Sequence, residues 1–193
     1  MEEYTQKDLV IIDELKRIYE LLRLQMKRKW DRDLPMEELL LDRWERAKQL
    51  GFGEGSSIYH SSYLYGDVKV GKHTWIGPFT LLDGSGTLSM GDYCSISSGV
   101  QIYTHDTVKW AVSGGKVEYE KAPVKIGNCC YIGPQSVVAK GVTIGDHSVI
   151  GACSFIDGNV PAFSIMAGTP GRIIGKVTVD SDRIGSEYFR KVR

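Results

Sequence analysis

The chain lacks most of what would place it in several large protein classes. It has no surplus charge, because 24 Lys and Arg balance 24 Asp and Glu. That leaves no broad basic surface to neutralise many phosphates, which argues against nucleic acid as a partner. No apolar run approaches the roughly 18 residues of a membrane-spanning helix, and the N-terminal MEEYTQKD shows no basic region followed by an apolar block. A soluble, cytoplasmic protein with no membrane span is expected. Cysteines are few: Cys94, Cys129, Cys130 and Cys153 form no C-x-x-C pair and no His/Cys cluster. Neither a disulfide scaffold nor a metal site is indicated, and reduced thiols are expected.

What the chain does have is 193 residues, 42% of them hydrophobic, which suits one domain with a real core and a modest appendage. Residues 1–52 read as a helical extension. Thr5-x-x-Asp8 is a capping-box pattern, and Leu9, Ile12, Leu15, Ile18, Tyr19, Leu22 and Met26 follow mostly at spacings of three and four. Asp33 and Pro35 signal a second helix start, Met36, Leu40, Trp44 and Ala47 continue the stripe, and Gly51 is placed to end it. The stripe is expected to pack against the main domain or a neighbouring subunit.

From Ile58 onward a period of six replaces the helical period. Met90, Ile96, Ile102, Val108, Ile126, Ile132, Val138, Ile144, Ile150 and Ile156 share one phase and are all aliphatic or Met. Four places after them stand Cys94, Val100, Asp106, Val112, Cys130, Ser136, Val142, Ser148, Ser154 and Val160, small or Val except at Asp106. Ile58, Leu64, Val70, Ile76 and Leu82 keep the same period before a two-residue slip near Gly84-Ser-Gly86, read as a turn or bulge. Such repeats predict short parallel strands stacked coil on coil, a β-solenoid over residues 53–177 with a tail at 178–193. Gly71, Gly77, Gly91, Gly127, Gly133, Gly145 and Gly151 directly follow the aliphatic or Met residue, where the chain turns without room for a side chain.

One segment, 105–123, breaks the pattern. It carries Trp110, Gly114-Gly115 and Tyr119, and it begins where Asp106 replaces the small inward residue. A regular solenoid gains nothing from a long excursion, whereas loops on rigid scaffolds carry binding and catalysis. Lys109, Lys116 and Lys121, with Trp110 and Tyr119, make an arrangement suited to the phosphates and base of a nucleotide. The competing reading is a solvated loop. Cys94 and Cys130 occupy inward core positions, and no nucleophile motif surrounds Cys129 or Cys153. His60, His73 and His147 fall at variable repeat positions and are expected to be solvated.

The stretches Pro123-Val-Lys-Ile-Gly127, Tyr131-Ile-Gly133, Gly141-Val-Thr-Ile-Gly145, Val149-Ile-Gly-Ala152 and Ala167-Gly-Thr-Pro170 resemble the hexapeptide-repeat acyltransferases. Within that family they are similar to the maltose, galactoside and polysaccharide-sugar O-acetyltransferases and equally to the nucleotide-amino-sugar N-acyltransferases. The resemblance spans residues 58 to about 177. It implies a left-handed parallel β-helix with three hexapeptides per coil, hence roughly five coils and about 24 Å of prism. It also implies transfer of an acetyl or related acyl group from acetyl-CoA or another acyl-CoA to a sugar or nucleotide-sugar acceptor, foremost the amino group of a nucleotide-linked amino sugar for surface polysaccharide synthesis, by a homotrimer without a metal; the alternatives are O-acetylation of a sugar hydroxyl and a noncatalytic β-helix scaffold. His105 aligns with the family's catalytic histidine. Coenzyme contacts carry over to Gly133, Pro134, Ala152 and Arg172, and the oxyanion is left to an unnamed backbone amide of a neighbouring turn. Direct transfer is expected, with an imidazole taking the acceptor's proton. Asp106 either orients that imidazole or makes only a turn hydrogen bond. Two departures stand out: Tyr131 replaces the family's Trp, and Asp157-Gly158-Asn159 replaces its Thr-Lys-Asp. The zinc-dependent carbonic anhydrases built on the same repeats are excluded, because Trp110 stands where they need a histidine.

Overall fold

The computed structural model describes residues 4–180 and 183–189, and the chain forms two compact units, Met1–Arg43 and Trp44–Arg193. In the first unit, helix α1 (Gln6–Trp30) opens on the capping box read from the sequence. The Thr5 amide donates to Asp8 Oδ2 at 2.9 Å, and the Asp8 amide donates to Thr5 Oγ1 at 3.3 Å. Asp31 ends the helix in the left-handed conformation. Arg23 then forms a two-pronged pair with Asp33, at 2.9 and 2.7 Å. The single second helix expected from 33 to 51 is instead divided into α2 (Met36–Leu40) and α3 (Arg43–Gln49), because Leu41 takes an extended backbone between them.

The second unit is a parallel β-helix of about six turns. Its pairing defines three faces. On the first, Ile58, Ile76, Ile96, Ile132, Ile150 and Met166 stack in register. On the second stand Leu64, Leu82, Ile102, Val138 and Ile156. The third carries Val70, Met90, Ile126, Ile144 and Val160. All these side chains are buried except the half-buried Leu64. Each fully buried isoleucine contributes about 1.5–3 kcal/mol relative to exposure, so repetition of the hexapeptide builds the core rung by rung.

The small positions point inward as the period requires: Val100, Ser136, Val142, Ser148 and Ser154 are all buried, while Val160, read as one of them, takes the aliphatic place beside Ile144. Cys94 and Cys130 join them, with their thiols directed to the carbonyls of Gly127 and Gly145 at 3.0 and 3.2 Å. The corner glycines have a specific cause. A Cβ on Gly91 would lie 2.4 Å from Asn128 Oδ1, and one on Gly127 would lie 2.2 Å from Asp146 Oδ1. Those oxygens accept the amides of Asp92 and Asn128 at 2.9 and 2.7 Å, so each coil staples the one before it through the space a side chain would fill.

Two readings of the repeat are corrected. From Ile96 to Ile132 is 36 residues, one coil of 18 plus an inserted 18. Because the insertion is itself a multiple of six, Val108 and Val112 stay in phase without belonging to the solenoid. They lie on the short helix α4 (Val108–Val112), 62% and 82% exposed. Asp106 likewise does not replace an inward residue; it is half-buried on a ribbon outside the prism. The segment from 178 onward, expected as a tail, completes the strand Arg172–Asp180 and supplies Arg183–Tyr188. These two strands pair antiparallel with each other, and the first pairs antiparallel with Ser164–Ala167, which ends the parallel array.

Candidate active site

The excursion leaves the prism at the corner between the second and third faces. Its neck is a two-rung antiparallel ribbon in which His105 pairs with Lys121 and Asp106 with Glu120. The Ala122 amide closes the neck on the Thr104 carbonyl at 2.9 Å. Beneath it runs the long strand Leu81–Met90, which passes from the second face to the third.

Asp83, on that strand, is 1% exposed. Its Oδ2 lies 2.6 Å from His105 Nδ1 and accepts the Thr104 amide at 2.8 Å and the Thr104 hydroxyl at 3.1 Å. Its Oδ1 accepts the Ser85 amide at 2.9 Å. Burial works against the charge, but the hydrogen bonds from Ser85, Thr104 and His105 outweigh it and hold the carboxyl well below the usual range. An ionised carboxylate only accepts hydrogen bonds, so His105 Nδ1 is the nitrogen that carries hydrogen. In the neutral ring this leaves Nε2 as the nitrogen that can take a proton. The imidazole is half-buried, and Tyr119 packs edge-on against it with ring centroids 6.0 Å apart.

Of the two roles open to Asp106, the structure shows the turn hydrogen bond. Oδ1 accepts the Val108 amide at 3.0 Å, and Oδ2 faces Lys140 Nζ at 2.7 Å. The residue that holds the imidazole is Asp83, 22 positions earlier. Its sequence signal was the slip itself: Gly84-Ser85-Gly86 lets the strand bulge, and a Cβ on Gly86 would sit 2.5 Å from the Thr104 carbonyl oxygen.

The excursion carries an open cleft of about 540 Å³ lined by Trp110, Lys116, Glu118, Tyr119 and Lys121, among others; His105 does not line it, and Tyr119 is the lining residue that packs against the imidazole. Lys121 Nζ lies 5.3 Å from the centre of the Tyr119 ring, a cation–π arrangement. Lys109, grouped with these lysines in the sequence, pairs with Glu120 at 2.5 Å.

Gly133, Pro134 and Ala152 occupy successive rungs of another corner, between the first and second faces. A Cβ on Gly133 would meet the Ala152 amide nitrogen at 2.6 Å, and the Cys153 amide donates to the Pro134 carbonyl at 2.9 Å. Arg172 pairs with Ala167 on the next rung and is exposed. The structure therefore brings these four positions along one edge and sets His105 at the following corner, a full face away. At ~3.3 Å per extended residue that is on the order of 15–20 Å.

Among the other histidines, His73 stacks on Tyr93 and His147 on Phe163. His60 departs from the solvated expectation, since its Nε2 is enclosed. Among the described residues, no group of three His, Cys, Asp or Glu side chains is arranged to hold a metal, and no helix is long and apolar enough to cross a membrane.

Residues 123–158 match the family model described as bacterial transferase hexapeptide (six repeats). A putative colanic acid biosynthesis acetyltransferase, WcaF of Escherichia coli K12, is 30% identical over 128 residues, 58% of this chain and 70% of that protein. The galactoside O-acetyltransferase of the same organism is 29% identical over 141 residues, 63% of this chain and 68% of its own. Among solved structures, AntD, an N-acyltransferase from Bacillus cereus in complex with dTDP and 3-hydroxybutyryl-CoA, superposes with a TM-score of 0.57. It is 22% identical and covers 69% of this chain and 89% of its own, a likeness of fold. The chain belongs to the hexapeptide-repeat acyltransferase family. It is an acyltransferase built on the left-handed β-helix.

Proposed function

We propose that the protein transfers an acetyl or related acyl group from acyl-CoA to the amino group of a nucleotide-linked amino sugar, with His105 as general base. The observation that carries the mechanism is the 2.6 Å contact between Asp83 Oδ2 and His105 Nδ1. It fixes the tautomer in which Nε2 accepts the acceptor's proton as the amine attacks the thioester carbonyl, and the resulting imidazolium is stabilised by the buried carboxylate. The proton then passes to the departing CoA thiolate, so atoms and charge balance over the cycle.

The acceptor class rests on the cleft. Trp110 and Tyr119 offer faces for a base, and Lys116 and Lys121 offer cations for its phosphates. AntD, with dTDP and an acyl-CoA bound, supports the same reading by analogy of fold. A sugar hydroxyl as acceptor is the second reading, favoured by the galactoside O-acetyltransferase relative; the same imidazole would serve it.

The acyl-CoA is assigned to the edge formed by Gly133, Pro134 and Ala152, with Arg172 toward a coenzyme phosphate. Since that edge and His105 lie on different corners, a site that uses both needs the edge of a neighbouring chain. We therefore assign a homotrimer with sites between subunits, acting in the cytoplasm where acyl-CoA is held. Incubation with acetyl-CoA and a panel of amino sugars, nucleotide-linked amino sugars and simple galactosides, followed by thiol release, tests the assignment. Turnover confined to nucleotide-linked amines supports it, and turnover with galactosides alone replaces it with the second reading.

A further inference from the structure

We propose that Lys140 is a positioning residue for His105, bridging Asp106 and Glu120 from the adjacent coil and so holding closed the two-rung ribbon on which His105 sits. The proposal rests on the reading of His105 as general base. Asp106 and Glu120 are direct cross-strand partners, an arrangement that like charges destabilise. Lys140 Nζ resolves it, lying 2.7 Å from Asp106 Oδ2 and 3.2 Å from Glu120 Oε2.

The ammonium is well placed to do this. Lys140 follows the strand Val137–Val138, and its successor Gly141 lies directly beneath Ala122, where an added Cβ would meet the Ala122 Cβ at 3.4 Å. The lysine is 24% exposed, so water screens the bridge less than it would a surface pair. Lys109 shares Glu120 at 2.5 Å, giving a neutral cluster of two cations and two anions. Removing Lys140 leaves one cation against two opposed carboxylates, on a ribbon with only one other rung.

That other rung is His105 with Lys121. If the Asp106–Glu120 rung parts, Glu120 draws away with its neighbours Tyr119 and Lys121, and the edge-on ring packed against the imidazole goes with them. His105 then keeps Asp83 but loses the wall that fixes its direction. Lys140 forms its ion pairs with Asp106 and Glu120 rather than with His105, so it is placed to act through the ribbon.

Two readouts test this, one independent of any acceptor. In 15N-histidine-labelled protein, the His105 Nδ1 proton held by Asp83 should be protected from exchange and absent in His105→Ala. In Lys140→Met its exchange should accelerate at least about tenfold, as expected when a local opening becomes easier, and Lys140→Arg should restore protection. With acetyl-CoA and the sugar that gives turnover, Lys140→Met should lose about tenfold or more in kcat, since small misplacements of a catalytic group cost that much. The KM for acetyl-CoA should stay within about twofold, and adding Glu120→Gln should recover part of the loss by removing the opposed charge. Wild-type exchange and kcat in Lys140→Met would overturn the proposal, as would a loss that Arg does not rescue. If His105→Ala is inactive while Lys140→Met is normal, only the role of Lys140 falls. If His105→Ala stays active, the general base is wrong and this role falls with it.

Discussion

Asp83 Oδ2 lies 2.6 Å from His105 Nδ1 although 22 residues and a turn of the solenoid separate them. The adjacent Asp106 makes no such contact and faces Lys140 instead. If Asp83 holds the productive tautomer, Asp83→Asn should keep the side chain's shape and lose its charge. Turnover is expected to fall on the order of 10²-fold, with acyl-CoA affinity nearly unchanged. An equal loss in coenzyme binding, measured by calorimetry, would point to damage of the scaffold instead.

The same carboxylate couples stability to pH. Its folded-state pKa is depressed, mainly by the hydrogen bonds that outweigh burial, so Asp83 contributes stability that is fully present above the unfolded value of about 3.9. That contribution is lost as pH falls below this value and on through the depressed folded one. Thermal melts of the wild type should therefore show a drop in Tm beginning near pH 4 that is smaller in Asp83→Asn. Parallel acid profiles for the two proteins would refute the assignment.

Gly86 is not among the glycines with a left-handed backbone, so its requirement is one of space. A Cβ there would come 2.5 Å from the Thr104 carbonyl oxygen and 3.2 Å from the Ala122 amide nitrogen. Gly86→Ala is expected to destabilise the fold by about 1–3 kcal/mol, the range for overpacking. It should also lower turnover, because Thr104 carries both a hydrogen bond to Asp83 and the chain into His105. Denaturant unfolding together with turnover measures both effects.

If acyl-CoA binds the edge proposed for it and His105, at another corner, is the base, a single chain should be inactive alone. Light scattering should give three times the 21.5 kDa chain mass, and dilution that dissociates the assembly should abolish turnover. A stable, active monomer would contradict the shared site.

The six-residue period made the solenoid legible, because every coil repeats the same burial requirement and the ladder Ile58, Ile76, Ile96, Ile132, Ile150 needs nothing from outside itself. The excursion was legible as a break, and His105 as a candidate through family likeness. Asp83 was legible only as a residue beside a glycine slip, since nothing in one sequence shows that it will lie under another 22 positions later. Lys140 was hidden for a similar reason, since it sits in an ordinary repeat and meets Asp106 and Glu120 only because the preceding coil carries the excursion that stacks on it. The inward reading of Val108 failed because an insertion of eighteen residues preserves the phase of a six-residue repeat while its residues leave the prism.

The central claim is tested most directly by the pH dependence of turnover in His105→Ala. The wild-type rate should rise with pH to a plateau, since only the unprotonated ring accepts a proton. In the variant that limb should vanish and turnover should fall about 10²- to 10⁴-fold, with acyl-CoA affinity preserved. A folded variant with most of its activity and the wild-type pH profile would show that the acceptor loses its proton by another route.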